Sequence, residues 1–120
     1  MNRLSQKQYN KLKSKILFIL CCQAVSISMD CYLPVPSTNI SRYCGCSLYY
    51  ARKALSELKY EGLIKSVKPE PVYTDDGVFL LGGYRITDAA KSTRQYKGAC
   101  RKEKCIWRKL GINIEGDLDV

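Results

Sequence analysis

Apolar positions recur at three- and four-residue spacing between residues 47 and 61, which predicts an amphipathic helix. Its apolar stripe consists of Ala51, Ala54, Leu55 and Leu58. Ser47 stands where its hydroxyl can accept a hydrogen bond from a free amide of the first turn. Gly62 supplies the left-handed residue that ends such a helix, and the alternating residues 63–67 follow at once as a strand. The pattern therefore predicts a helix that runs directly into a sheet.

An earlier helix is predicted over about residues 5–27. Ser5 and Gln8 fit a capping box, and apolar residues keep helical spacing after them, while the polar face is rich in lysine. The apolar run 16–22 and the basic start imitate a secretory leader, but a clear cleavage site is missing. The run is also far shorter than the roughly 20 apolar residues that a membrane-spanning helix needs.

A short helix is predicted between these two. The prolines within residues 29–36 favour an extended connection. Ser37 or Thr38 can then cap a helix over about residues 38–44, which ends at Gly45. The order so far is long helix, extended connection, short helix, turn and amphipathic helix.

A β-hairpin is predicted over residues 63–87. Its strands, 63–74 and 78–87, are joined by Asp75-Asp76-Gly77, and an Asp-Gly step is a strong hairpin signal because the turn needs positive φ. Pro69 and Pro71 cannot donate to a ladder, which indicates an exposed, irregular outer section.

A last helix is predicted over residues 88–110, capped by Thr87 and ended by Gly111. One narrow apolar seam runs along it, interrupted by Glu103, and the remaining surface is strongly basic. Such a seam needs a partner surface, which is either the first helix of the same chain or a second subunit. Residues 112–120 are predicted to be a loose acidic tail.

This order of helices and strands resembles that of the winged helix-turn-helix family. The resemblance rests on the helix 51–58, the step Glu61-Gly62-Leu63-Ile64 into a strand, and the turn Cys44-Gly45-Cys46-Ser47 between two helices. The segment 84–90 is similar to the end of the wing in MarR-like and PadR-like regulators, although those families usually carry Gly where Ala90 stands. MarR-, PadR- and GntR-like transcriptional regulators thus share this pattern at the superfamily level. The fold class implied is α+β, mainly helical: one domain over residues 1–111 with a three-helix core, a hairpin wing and an additional C-terminal helix.

The net charge of +9 indicates a polyanionic partner. Residues 1–15 carry five bases and no acid, residues 88–110 carry eight bases against two acids, and the last ten residues carry three acids. The alternative is a protein with solvated basic faces. Because the sequence contains no His, no phosphate-binding glycine loop and no nucleophile elbow, we do not expect an enzyme.

The resemblance implies which residues would contact DNA. In helix-turn-helix proteins the N-terminal part of the second helix enters the major groove and the preceding helix braces the backbone. Arg52 and Lys53 can donate to guanine, and the tyrosines can reach phosphates or a thymine methyl. The predicted contacts on the two helices and the wing are Ser37, Thr38, Ser47, Tyr49, Tyr50, Arg52, Lys53, Lys65, Lys68 and Arg85.

Seven cysteines raise the question of metal or redox chemistry. Cys44, Cys46, Cys100 and Cys105 could together furnish four thiolates for zinc or an iron–sulfur cluster. Against this, the first two occupy apolar positions of the turn, and the spacing lacks the paired two-residue gaps of a zinc site. We therefore expect no metal and no cofactor, with the thiols reduced in the cytoplasm. Among the four, Cys100 and Cys105 lie beside many cations and form the more reactive pair.

The sequence predicts a sequence-specific double-stranded DNA-binding protein, a homodimeric transcriptional regulator that pairs through its first and last helices. One alternative is a winged-helix protein-interaction module whose basic ends contact an acidic partner. Others are a plasmid or phage replication initiator, which uses the same fold, and a metal- or redox-responsive regulator. No membrane partner is expected.

Overall fold

The computed structural model describes residues 3–26 and 33–111. Its helices are α1 (Gln6–Val25), α2 (Ser37–Cys44), α3 (Leu48–Tyr60) and α4 (Arg94–Lys109). The strands β1 (Ile64–Thr74) and β2 (Gly77–Ile86) form one antiparallel pair, and a 3-10 turn (Asp88–Ser92) precedes α4. The predicted acidic tail, 112–120, lies outside the described residues.

Helix α1 is the central element, and its start is fixed locally. The Ser5 hydroxyl accepts from the Gln8 amide at 3.2 Å, and the Gln8 side chain accepts from the Ser5 amide at 2.9 Å, which completes a capping box. Ile16, Leu20 and Cys21 are almost fully buried against α3 and α4. None of the described helices is both long and apolar enough to cross a membrane.

The turn between α2 and α3 is held by hydrogen bonds as well as by glycine. Gly45 ends α2, the Cys46 amide donates to the Ser41 carbonyl at 3.1 Å, and the Ser41 hydroxyl donates to the Cys46 carbonyl at 2.6 Å. Ser47 then caps α3 by accepting from the Tyr50 amide at 3.2 Å. These bonds fix the angle at which α3 leaves α2.

Helix α3 ends in a Schellman motif. Gly62 has φ of 80°, its amide donates to the Lys59 carbonyl, and the Leu63 amide donates to the Leu58 carbonyl. The chain enters β1 with Ile64 buried. The Thr87 hydroxyl donates to the Gly62 carbonyl at 2.5 Å, so the end of the hairpin is tied to the helix terminus where the hairpin began.

The hairpin is long and carries one irregularity. Its register shifts between Val67 and Glu70. Val35, at the end of the predicted extended connection, forms a one-residue antiparallel bridge to Tyr84. Gly83 lies against this bridge: a Cβ there would stand 2.4 Å from the Val35 carbonyl, and its φ of 149° also favours glycine. The close approach therefore requires glycine at this position.

The C-terminal helix begins later than the sequence predicted. A continuous helix over 88–110 with Thr87 as its cap is wrong, because residues Asp88–Ser92 form a 3-10 turn and the Thr87 side chain makes no capping hydrogen bond. Thr93 caps α4 instead, accepting from the Tyr96 amide at 3.2 Å. The break allows α4 to lie along α1.

The second prediction that needs correction is the start of α2. Pro36 occupies the N-cap position and provides no side-chain cap, and Ser37 is already the first helical residue. The rest of the architecture agrees with the predicted class. The molecule is a mainly helical α+β protein in which two antiparallel strands form the wing of a winged-helix fold.

Candidate nucleic-acid interface

The outward face of α3 presents polar and cationic side chains near the helix N-terminus. Ala51, Ala54, Leu55 and Leu58 are buried, which turns the opposite side to solvent. Tyr49, Arg52 and Lys53 are exposed there, with the Tyr49 side chain 57% exposed. Ser47 is half-buried and its hydroxyl serves as the cap. The structure thus brings three of the predicted contacts together on one accessible face.

Tyr50, another of the predicted contacts, is less accessible than these three side chains. Its hydroxyl accepts from the Leu4 amide at 3.0 Å, and its ring lies 6.2 Å from the ring of Tyr9. The residue is half-buried and packs against the core. Tyr50 therefore anchors the segment before α1 to the start of α3, while Tyr49, 5.2 Å away ring to ring, keeps the exposed side.

This anchor creates a cleft that sequence reasoning did not find. Arg3 and Gln6 line it from the N-terminal side, and Tyr49 and Lys53 line it from α3, around a volume of about 470 Å³. The basic N-terminus was a visible signal in the sequence. Its position beside α3 depends on the contact between Leu4 and Tyr50, which are 46 residues apart. Arg3 and Gln6 thereby join the candidate interface.

The electrostatics beside the cleft are organised by Tyr9. Its hydroxyl donates to the Glu57 carboxylate, and the Lys53 ammonium lies 4.6 Å from its ring centroid. Burial, followed by the Glu57 hydrogen bond and charge, raises the pKa of Tyr9 above its ordinary value. The Tyr9 hydrogen bond, with nearby Lys13 and Lys53, lowers the pKa of Glu57. Tyr9 therefore stays neutral and Glu57 stays ionised.

Helix α2 carries two of the predicted DNA contacts, Ser37 and Thr38, but neither side chain caps the helix. Ser37 is half-buried and Thr38 is exposed, as the first and second residues of the helix. With Pro36 at the cap position, neither hydroxyl acts as the cap. Their backbone amides still belong to the free first turn of the helix, where an anion such as a phosphate can bind.

The wing divides into two chemically different parts. Lys65 and Lys68 are exposed on β1, in the half nearer the helices. Residues 69–84 contain three acids and no base. The exposed large apolar side chains of this outer part are Tyr73, Val78, Phe79 and Leu80. Only the inner half of the wing therefore suits a phosphate backbone.

Arg85 is separated from the two wing lysines by its burial. It is half-buried, and its Nε is shielded from solvent with no hydrogen-bond partner among the described residues. It lines a cleft of about 270 Å³ between the base of the wing and the end of α1, together with Tyr84, Lys91 and Tyr96. A guanidinium held there is poorly placed to follow a DNA backbone, so we leave Arg85 out of the interface.

The four candidate metal ligands do not converge. In the ranges 3–26 and 33–111, no three His, Cys, Asp or Glu side chains are grouped so that they could hold a metal ion. Cys44 and Cys46 flank Gly45 in the turn, and burial raises the pKa of both thiols. Cys100 is fully buried and Cys105 is exposed, so the two do not form an equally accessible reactive pair.

The apolar seam of α4 is covered within the chain. Tyr96, Ala99 and Cys100 are buried where α4 packs along α1. Glu103, which seemed to interrupt the seam, is 8% exposed and accepts from the Trp107 indole at 2.6 Å. The seam therefore gives no argument for a second subunit, which was one of the two possibilities left by the sequence.

Comparison with known proteins supports the fold. No protein-family model and no curated protein matches this sequence. A structure of ZitR from Lactococcus lactis, in apo form, is similar with a TM-score of 0.50 and 17% identity, covering 92% of this chain and 73% of that one. A second ZitR structure has a TM-score of 0.49 and 20% identity, covering 92% and 66%. At this level of identity the likeness to ZitR shows the winged-helix fold alone.

Proposed function

We propose that this protein is a transcriptional regulator that binds double-stranded DNA in a sequence-specific manner through the N-terminal half of α3. The observation that carries the proposal is the cluster of exposed Tyr49, Arg52 and Lys53 on the second helix of a helix-turn-helix. In this motif the first residues of the second helix face the base edges in the major groove. The bonds at the α2–α3 turn hold α3 at a fixed angle for that purpose.

The three side chains are suited to different tasks. Arg52 has the planar fork that can donate two parallel hydrogen bonds to guanine O6 and N7. Tyr49 can donate its hydroxyl to a phosphate or lay its ring against a thymine methyl. Lys53 leans over the ring of Tyr9 and lines the cleft with Arg3, so it is better placed for a phosphate than for a base. Base reading is thus assigned mainly to Arg52.

Affinity would come largely from phosphate contacts around this face. Arg3 and Gln6 lie beside Lys53, and Lys65 and Lys68 lie on the inner half of the wing. The amides of Ser37 and Thr38 at the start of α2 add neutral donors. Each charge contact releases counterions, which makes the affinity fall steeply with salt.

The test begins with selection of bound duplexes from a random library, followed by titration of the selected and a scrambled duplex over a salt series. Arg52→Ala should weaken binding to the selected duplex by about 5- to 150-fold and relax the preference over the scrambled one, corresponding to about 1–3 kcal/mol. Lys53→Ala should weaken both duplexes alike and reduce the salt slope by about 1.

Lys59→Ala is the matched control, because Lys59 is another exposed cation on α3, seven residues further along on the same side of the helix. It lies about two turns beyond the end that enters the groove, so its replacement should change the preference little. Equal affinity for selected and scrambled duplexes, unaltered by Arg52→Ala, would contradict the proposal.

A homodimer remains part of the proposal, with a different contact from the one expected. The seam of α4 is used within the chain, but Ile106 and Leu110 near its end are 42% and 66% exposed. We place the contact between two copies there. Sedimentation of the wild type and of a Leu110→Asp variant tests it: a dimer that the substitution converts to monomer is expected, and a monomeric wild type would refute it.

A protein-interaction module is the second candidate, favoured by the exposed apolar side chains on the outer wing. Large exposed apolar patches often mark protein contacts. In that case the selection would enrich no duplex, and binding to DNA would show neither sequence preference nor a salt slope that changes with Lys53. The two candidates are therefore separated by the same titration.

A further inference from the structure

We propose that a second segment of duplex DNA binds on the side of α1 that faces away from α3, so that one chain can bridge two duplexes. This rear face is defined by Lys7, Lys11 and Lys15 of α1 and by Arg94, Arg101 and Lys102 of α4. It goes beyond the proposed regulator function, which uses only α3 and its surroundings.

The two sides of α1 are opposite by helix geometry. Tyr9 and Lys13 contact α3 through Glu57 and Glu61. At roughly 100° per residue, Lys11 and Phe18 lie about half a turn around the helix from Tyr9. A duplex bound at α3 would therefore not reach the rear face without strong bending.

The rear face is a groove between two helices. The Gln95 side chain donates to the Ser14 hydroxyl at 2.9 Å, which closes its floor. Lys11, Lys15 and Arg94 line a volume of about 410 Å³ with Phe18. The Lys102 ammonium lies 5.6 Å from the centroid of the Phe18 ring. The exposed cations project from two helices that pack against each other.

The charges of this groove are not neutralised by carboxylates on the two helices that form it. Helix α1 contains no acid, and α4 contains only Glu103, which is buried and accepts from Trp107. On the α3 side, by contrast, Lys13 is paired with two glutamates. A surface patch of one sign raises the local concentration of an oppositely charged partner.

The chemistry favours a nucleic-acid backbone over a protein. Protein interfaces usually centre on an apolar core, whereas Phe18 is half-buried and lies under the Lys102 ammonium. The α1 lysines repeat every four residues, or about 6 Å, along a straight helix. A regular row of like charges suits a regular polyanion with about one charge per 1.7 Å of helix axis. A second copy apposed here would be repelled.

The test is a bridging assay. The duplex selected for α3 is immobilised, saturated with protein and washed, and capture of a second, labelled duplex is measured. The rear-face variant is Lys11→Gln/Lys15→Gln/Arg94→Gln, and the control keeps the charges as Lys11→Arg/Lys15→Arg/Arg94→Lys. Circular dichroism and thermal unfolding verify that each variant is folded.

The wild type and the charge-conserving control should capture the second duplex, and the glutamine variant should capture at least about tenfold less. Its affinity for the immobilised duplex should change by less than about threefold, and the salt slope of capture should fall by about 0.9 for each lost contact. Arg52→Ala should weaken binding to the first duplex without altering the capture of the second duplex per molecule of bound protein.

Undiminished capture by the glutamine variant would overturn the proposal. So would displacement of the second duplex by an acidic polypeptide as efficiently as by unlabelled duplex, since the groove would then have no preference for DNA. A wild type that binds one duplex but captures no second refutes the rear-face site alone. A wild type that binds no duplex refutes the regulator proposal, so the two failures are distinguishable.

Discussion

Lysines on the two sides of α1 have different surroundings. On the α3 side, Lys13 pairs with Glu57 and Glu61, and Tyr9 donates to Glu57 beneath Lys53. On the rear face, Lys11 and Lys15 line an open groove whose two helices offer no exposed acid. Identical side chains, two residues apart, are in one case part of an internal contact and in the other an unneutralised surface charge.

This difference indicates that the α3 side of α1 stabilises the fold, whereas the rear face is available for binding. Contacts on the α3 side bury apolar area and satisfy ionised groups, so their loss should destabilise the protein. Charges on the rear face meet no exposed carboxylate of α1 or α4 and repel one another, so their loss should leave stability unchanged or slightly improved. This division can be tested by measuring the free energy of unfolding of paired variants, one from each side of α1.

The largest effect is expected for Ile16→Ala on the buried side. Ile16 is 0% exposed and packs in the core, so the substitution removes apolar contacts and leaves a cavity. A loss of about 2–5 kcal/mol is expected, measured by urea unfolding. Lys15→Ala, one position away but on the rear face, should stay within about 0.5 kcal/mol. Similar losses for the two would contradict the division.

An intermediate effect is expected for Tyr9→Phe, which keeps the ring but removes the donor to Glu57. The expected loss is about 1–2 kcal/mol near neutral pH, because a hydrogen bond to an ionised group is removed. Tyr50→Phe is a control of the same chemistry, since that hydroxyl only accepts from the Leu4 amide. It should cost about 1 kcal/mol or less.

The pH dependence separates these two tyrosines. The folded state lowers the pKa of Glu57 below the ordinary 4.5, so its contribution is full above that value and is lost as the pH falls through the lowered pKa. The folded state raises the pKa of Tyr9 above 10.0, so its contribution is full below 10 and declines as the pH rises beyond. The Tyr9→Phe difference should shrink at both extremes, whereas the Tyr50→Phe difference should stay constant in acid. A Tyr9→Phe difference unchanged between pH 7 and pH 3 would contradict the assignment.

The smallest effect compares Lys13→Gln with Lys11→Gln. The glutamates that pair with Lys13 are 43% and 41% exposed, so this is a surface network worth about 0.2–1 kcal/mol. Lys11→Gln should cost nothing measurable. Thermal unfolding at low and high salt provides the check: added salt should erase the Lys13 difference and leave Lys11 unaffected. A larger loss from Lys11→Gln would mean that the two sides had been assigned the wrong way round.

Local chemistry explains which elements the sequence determined. The Ser5 and Ser47 caps, the Gly62 stop and the Asp-Gly hairpin step act within a few residues, and all four have the predicted role in the structure. The apolar spacing of α3 likewise selected its buried side. Much of the winged-helix fold was therefore readable from the sequence, because short-range hydrogen bonds and periodicity specify helices and turns.

The candidate site was only partly readable. Tyr49, Arg52 and Lys53 lie on the expected face. Tyr50 is half-buried where its hydroxyl accepts from the Leu4 amide, and Arg85 lines a cleft at the base of the wing. Arg3 joins the site only because Leu4 is held there. These outcomes depend on residues far apart in sequence, whose meeting no local pattern encodes.

Only the tertiary structure decided which partner is taken by a side chain that has several possible hydrogen-bond or charge partners. Thr87 and Thr93 are both able to cap a helix, but the Thr93 hydroxyl caps α4, whereas the Thr87 hydroxyl makes no cap bond and donates to the distant Gly62 carbonyl. Lys11 and Lys13 are alike in sequence, and only Lys13 meets glutamates because α3 packs on its side of α1. The sequence determines caps, stops and periodicity, which are local; the competition for distant hydrogen-bond and charge partners is settled only when the helices pack.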